Sequence, residues 1–236
     1  MTDAPADDGV TAFDAAAGEY RQAVTASISF TGQDVDYFAE RKAEHLVRFV
    51  GDGFAAPTES SVLDVGCGVG TTDAHLTARF ASVDGVDVSA ESIEQAVAAN
   101  PSVRYQVYDG NTLPFADASF DVAFAACVLH HVEPGRRLAF TREMHRVVRP
   151  GGVVMVFEHN PVNPLTRYAV GRCELDTGCV LLRPSEVLGL FASAGLQTVE
   201  RSYISFLPTR RASLLRLERA MRWLPLGGQY LVGARK

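Results

Sequence analysis

Seven strand-like runs, alternating with helix-length segments, constrain this chain more than any other feature. The runs are "SVLDVGC", "SVDGVDV", "VRYQVYD", "FDVAFAACV", "VVMVFEH", "QTVERSYISFL" and "GQYLVGARK". "FDVAFAACV" and "VVMVFEH" are apolar almost throughout rather than alternating. A strand reads that way when both faces of its sheet are covered, which points to a parallel sheet with helices on each side. The fold class expected is α/β and doubly wound. Such sheets place their ligand beyond the carboxyl ends of the strands, where the strand order reverses.

The helical patterns cover Phe13–Thr25, Val35–Val50, "TTDAHLTARF", "SAESIEQAVAAN" with Ser89 as N-cap, Pro134–Val148, "SEVLGLFASAG" and "TRRASLLRLERAMRWL". Residues 1–10 are acidic and polar and are expected to be a disordered tail. The rest, 11–236, is read as one domain, with N-terminal helices over 11–56 and an irregular substrate-side insert over 160–183. Among 236 residues, 47% are hydrophobic and 21% charged, which supplies a sizeable core. The net charge of −6 and the lack of a basic patch argue against nucleic acid as a partner. No secretory leader or membrane-length apolar run is visible, so a cytoplasmic protein, monomeric or homodimeric, is expected.

The stretch after the first strand, Asp64-Val-Gly66-Cys-Gly68-Val-Gly70, raises the question of a ligand. A phosphate-binding P-loop needs a lysine, and none occurs from Gly51 to Asp109. A dinucleotide fingerprint needs a third glycine where Thr71 or Asp73 stands, and an aspartate there would repel a pyrophosphate. A carboxylate two residues before the first glycine suits a cationic group. Asp87 ends the second strand, where a carboxylate accepts from ribose hydroxyls. Asp109 ends the third. A nucleoside carrying a cationic amino acid and no phosphate suits all three acids.

At this point the sequence resembles the class I S-adenosylmethionine-dependent methyltransferases, in particular the small-molecule branch that includes ubiquinone and menaquinone enzymes. The resemblance rests on "VLDVGCGVG" (62–70), "GVDVS" (85–89), "VYDGNTLPFADASFDVAFAACVLHHV" (107–132) and "RVVRPGGVVMVFEHNP" (146–161), and covers about 60–210. It implies a Rossmann-like, seven-stranded, mostly parallel sheet with an antiparallel last strand and an N-terminal helical cap. It implies S-adenosylmethionine as cofactor, methyl transfer by in-line attack of an O, N or C nucleophile of a small molecule, and S-adenosylhomocysteine as product.

The resemblance also implies roles. Gly66, Cys67, Gly68 and Gly70 form the loop that the cofactor approaches, and Asp64 holds its methionine end. Asp87 takes the ribose hydroxyls, Val88 flanks adenine, and Asp109 accepts from the adenine amino group beside Gly110. Ala126 and Cys127 lie near the methionine moiety. Tyr20 and Arg21 sit on a helix that closes over the cofactor.

Several residues carry two readings. His131 is a candidate general base or a packing histidine, and His130 is read as packing. Glu158 and His159, ending the fifth strand, are candidate contacts to the substrate. Arg167, Tyr168, Arg172 and Arg183 suit an anion clamp, though a solvated face is the preferred reading. In 210–224, Leu214, Leu217, Met221 and Leu224 make a stripe preferred as core packing over peripheral membrane contact. Cys173 and Cys179 lack metal-ligand spacing to any Cys or His pair, so no zinc site and no metal are expected. Alternatives kept open are a non-enzymatic cofactor-binding module, a lipid-linked or macromolecular acceptor, and an NAD-dependent oxidoreductase.

Overall fold

The computed structural model describes residues 20–236, without the side chains of residues 20, 21 and 23. The expected tail, the start of the first helix, and the side chains of Tyr20 and Arg21 lie outside the described residues. In chain order the elements are α1 (Tyr20–Ile28), α2 (Val35–Gly51), β1 (Ser61–Val65), β2 (Ser82–Asp87), α3 (Ala90–Ala99), β3 (Arg104–Val107), β4 (Phe120–Ala126), α4 (Arg137–Val147), β5 (Val148–His159), α5 (Pro164–Val170), α6 (Pro184–Ser193), β6 (Gln197–Ile204), α7 (Ala212–Ala220) and β7 (Gln229–Arg235).

The strands form one seven-stranded sheet in the order β3-β2-β1-β4-β5-β7-β6. β1 pairs in parallel with both β2 and β4, and β4 with β5. β7 is the antiparallel member, inserted between β5 and β6. The strand order reverses between β1 and β4, so the carboxyl ends of those two strands open the crevice where such sheets bind ligands.

The period of two along each strand divides the core. Leu63, Val65, Ala123, Ala125, Val154 and Val156 pack on one face with Phe140, Met144, Val187 and Phe191 of α4 and α6. Val62, Val122, Phe124, Met155 and Phe157 pack on the other with Leu46, Phe49 and Val50 of α2. Gly233 of β7 is required there, because a Cβ would sit 2.6 Å from the Phe49 ring. Asp34 caps α2 by accepting from Tyr37 N, 2.9 Å, and Ser89 caps α3 as expected, accepting from Ser92 N at 3.1 Å. Each such cap contributes about 1 kcal/mol.

Three sequence expectations change. "TTDAHLTARF" is not an α-helix. Only Asp73–His75 form a 3-10 turn, followed by further turns. Leu76 and Phe80 are still buried, so the apolar spacing is satisfied without a regular helix. Asp73 is drawn inward, where Tyr105 Oη donates to it at 2.9 Å. Second, the 160–183 insert contains α5 and a 3-10 turn at Glu174–Asp176. Third, the 210–224 stripe is only partly packed. Leu217 is 50% exposed, while the buried residue of α7 is Glu218, whose carboxylate accepts from Ser205 N at 2.9 Å. No helix among the described residues is long and apolar enough to cross a membrane.

Candidate functional site

A cavity of about 810 Å³ opens over the carboxyl ends of β1, β2 and β4. Its floor is built by the loop after β1. Gly66 and Gly68 have φ of +83° and +52°, left-handed conformations that cost an L side chain about 1–2 kcal/mol. A Cβ on Gly66 would strike Val128 at 2.6 Å, whereas one on Gly68 would point into open space. Both glycines line the cavity. Gly70 does not. A Cβ there would meet Tyr105 Oη at 2.4 Å, and Gly70 O accepts from Asn100 Nδ2 at 2.9 Å. Its role is close packing against α3 and β3, which corrects the expectation that it faces a cofactor.

Asp64, Cys67, Asp87, Val88, Asp109, Gly110, Ala126 and Cys127 all border the cavity. Asp64 is 2% exposed. Burial pushes its carboxyl well up from the usual range, and the charge of Asp73 adds to that, while Lys42 opposes it. Asp73 is itself raised to about 7 by burial, against hydrogen bonds from Tyr105 and Asp64. Two buried polar atoms at this end, Asp64 Oδ1 and Thr71 Oγ1, have no hydrogen-bond partner among the described residues. A ligand that brings a positive donor would satisfy this end.

Asp87 Oδ2 accepts from Gly68 N at 2.8 Å and Oδ1 from Ser89 N at 3.0 Å. Its carboxylate is thus held at the end of β2 by the glycine loop itself. Asp109 Oδ1 accepts from the backbone N–H groups of Asn111 and Thr112, both 2.8 Å, which hold its carboxyl below the usual range. Asp109 thus nucleates the turn over 109–112 and also stands at the cavity edge.

At the far end, His159 lines the cavity but Glu158 does not. Adjacent strand residues face opposite ways, and Glu158 turns under the sheet end. There it accepts from Leu129 N at 2.8 Å and meets His130 Nδ1 at 2.6 Å, with both side chains fully buried. Glu158 is thus a support for the "HH" turn, which corrects its placement as a substrate contact. Burial alone would lower the His130 pKa, but Glu158 and Asp176 outweigh it and raise it to about 10. His131 and His159 are lowered to about 4, by burial first and then by the charge of His130.

The roof combines α1, α2, the insert and the segment after β6. Phe38 and Lys42 of α2, Val24 and Ile28 of α1, and Leu165 and Val170 of α5 line it. Sequence reasoning did not single out Lys42. Its only signal is its position on the polar side of a helix whose other side is core. Arg167, Arg172 and Arg183 are exposed and away from the cavity lining, in keeping with a solvated face.

A glycine loop at the strand-order reversal, a buried carboxylate in need of a cation and a carboxylate ending β2 thus meet at one end of the cavity. Residues 62–152 match the family model described as a methyltransferase domain. An uncharacterized methyltransferase from Synechocystis is 27% identical over 64% of this chain and 73% of its own length. The O-methyltransferase rstn1 of Aspergillus nomiae is 34% identical over 59% of this chain, which spans 58% of that relative. A SAM-dependent methyltransferase structure from Thermotoga maritima superposes with a TM-score of 0.65 at 18% identity, covering 96% of this chain and 99% of that one. Residues 62–152 are thus similar to methyltransferase domains, and the fold is that of S-adenosylmethionine-dependent methyltransferase structures.

Proposed function

We propose that the protein methylates a largely apolar small molecule, with the cofactor seated on the cavity floor and the acceptor under the roof. The observation that carries this reading is the division of one cavity into an acid-lined end at β1, β2 and β3 and an apolar end at α1, α2 and α5.

Asp64 and Thr71 would hold the ammonium end of the cofactor through Oδ1 and Oγ1, which otherwise lack partners. Asp87, fixed by Gly68 and Ser89, would accept from the ribose hydroxyls. Val88, Asp109 and Gly110 would border the base, and Ala126 and Cys127 the methionine moiety. When bound, S-adenosylmethionine supplies a methyl group on a positively charged sulfur. The residues of this chain align the acceptor, exclude water and keep the acid-lined end apart from the apolar one. Tyr20 and Arg21 remain proposed closing residues on the helix at the entrance.

Strong base catalysis fits the arrangement less well than positioning. His131 Nδ1 lies 2.9 Å from Cys179 Sγ and its Nε2 lies 3.4 Å from Asp176. His131 and His159 both have pKa values of about 4, neutral at pH 7 but weakly basic. Placing reactants correctly lowers a barrier by roughly 7–11 kcal/mol, against about a hundred- to ten-thousand-fold in rate from a base. Of the two histidines, His159 is the better candidate to meet the acceptor proton.

The test is a screen of hydroxylated and carboxylated apolar acceptors, reading S-adenosylhomocysteine release. Turnover of such acceptors, with a rate at saturating S-adenosylmethionine that is flat from pH 6 to 8, supports the reading. Activity confined to highly charged or macromolecular acceptors sinks it.

A further inference from the structure

Four potential metal ligands meet where the turn after β4 touches the insert. His130, His131, Asp176 and Cys179 each offer one ligand atom, and these atoms all lie within 4.8 Å of one another. We propose that this cluster is a tetrahedral site for Zn²⁺ that pins the insert to the end of β4. The sequence argues against a metal because 130–131 and 176–179 lie far apart and match no familiar ligand spacing. The fold removes that objection by bringing the two segments together.

The distances suit the ion. Bonds of about 2.0–2.3 Å to N, O and S in a tetrahedron set ligand atoms roughly 3.3–3.8 Å apart. His130 Nε2 and His131 Nε2 each stand 3.4 Å from Asp176 Oδ1, inside that span, while Cys179 Sγ packs on the other nitrogen of His131, and with one atom from each residue all four lie within 4.8 Å of one another. Small side-chain adjustments bring all four to one centre. Two imidazoles, a thiolate and a carboxylate form a donor set suited to zinc, not to magnesium or calcium, which prefer oxygen. Cys179 would ligate as the thiolate, releasing its proton to solvent.

The support behind the ligands is already in place. Glu158, fully buried, holds His130 Nδ1 at 2.6 Å and so leaves Nε2 as the ligating atom. A carboxylate behind a histidine is the usual way a zinc ligand is oriented. Arg137, 5% exposed, ties the two backbones together, with Nε donating to Leu129 O and Val132 O and Nη2 to Val180 O at 2.9 Å. His130, His131 and Asp176 also line the cavity, so the ion would stiffen the acceptor-side wall. The proposal stands whether or not the acceptor reading above is correct.

The experiment loads chelator-stripped protein with Zn²⁺ or Co²⁺ alone. One equivalent of Zn²⁺ per chain is expected by elemental analysis. Co²⁺ is expected to show the strong visible absorption of tetrahedral cobalt with a thiolate charge-transfer band. Cys179→Ser should remove that band, and Glu158→Gln should weaken Zn²⁺ binding about 10–100-fold. Wild-type protein that retains no stoichiometric zinc and gives no charge-transfer band overturns the site, as does a cobalt spectrum unchanged in Cys179→Ser. Because the first two readings need only the wild-type chain, misfolding of a variant cannot rescue the proposal.

Discussion

The floor and roof of the cavity are assembled in different ways. The floor comes from consecutive residues: Asp64, Gly66 and Gly68 follow one strand, Asp87 and Val88 end the next, and Asp109 follows the third. Backbone geometry and a few short hydrogen bonds fix it. The roof is made of segments far apart in the chain, joined by packing. Phe30 meets Tyr168 edge-on at a ring distance of 5.8 Å, and Tyr37 Oη donates to Thr209 O at 2.9 Å. A floor built locally can serve one cofactor across many relatives, while a roof built from distant pieces can change with the acceptor.

If that contrast is right, floor variants should lose cofactor affinity and roof variants should lose acceptor affinity. The largest effect is expected for Asp87→Ala. Losing hydrogen bonds from two ribose hydroxyls to a charged acceptor costs about 3 kcal/mol, roughly 100-fold in S-adenosylhomocysteine affinity by calorimetry. Asp64→Asn should follow, with a loss of about tenfold or more. Because burial and Asp73 raise the Asp64 carboxyl, wild-type affinity should increase as pH rises and the carboxylate ionises, and this increase should flatten in Asp64→Asn.

Phe38→Ala tests the roof. It should raise the acceptor KM about tenfold while S-adenosylhomocysteine affinity stays unchanged. A parallel loss of both would break the division between the two ends. A smaller effect concerns the pair beneath the floor. The folded pKa of Asp73 is about 7, above its ordinary value of 3.8. The folded state therefore favours the protonated acid, and the cofactor-free protein should lose stability as pH rises from about 4 to 7. Asp73→Asn should reduce that fall in Tm. The smallest effect is Arg167→Ala, an exposed residue outside the cavity lining, which should change stability by about 0.5 kcal/mol or less and leave turnover alone.

What was legible in the sequence follows the same division. The strand runs, the Ser89 cap and the order of the acids are local signals, and the sheet and the floor follow from them. Thr71–Phe80 misleads because burial of Leu76 and Phe80 has the spacing of a helix, while inward-turned Asp73 and the left-handed glycines favour turns. Gly70 is read as a ligand glycine, though it makes room for Tyr105 and Asn100 across the sheet edge. Glu158 turns away from the cavity, which depends on strand register. Lys42, and the meeting of His130 and His131 with Asp176 and Cys179, depend on contacts between distant segments that no motif spacing encodes.

The proposed seat for S-adenosylmethionine is the cavity floor, with Asp87 as its anchor. Calorimetric titration of S-adenosylhomocysteine and of NAD⁺ into the wild-type protein and Asp87→Ala tests it directly. The expected result is one S-adenosylhomocysteine per chain, no NAD⁺ binding, and an affinity roughly 100-fold weaker in Asp87→Ala. Binding of NAD⁺ without S-adenosylhomocysteine, or equal affinity of the two proteins for S-adenosylhomocysteine, would contradict it.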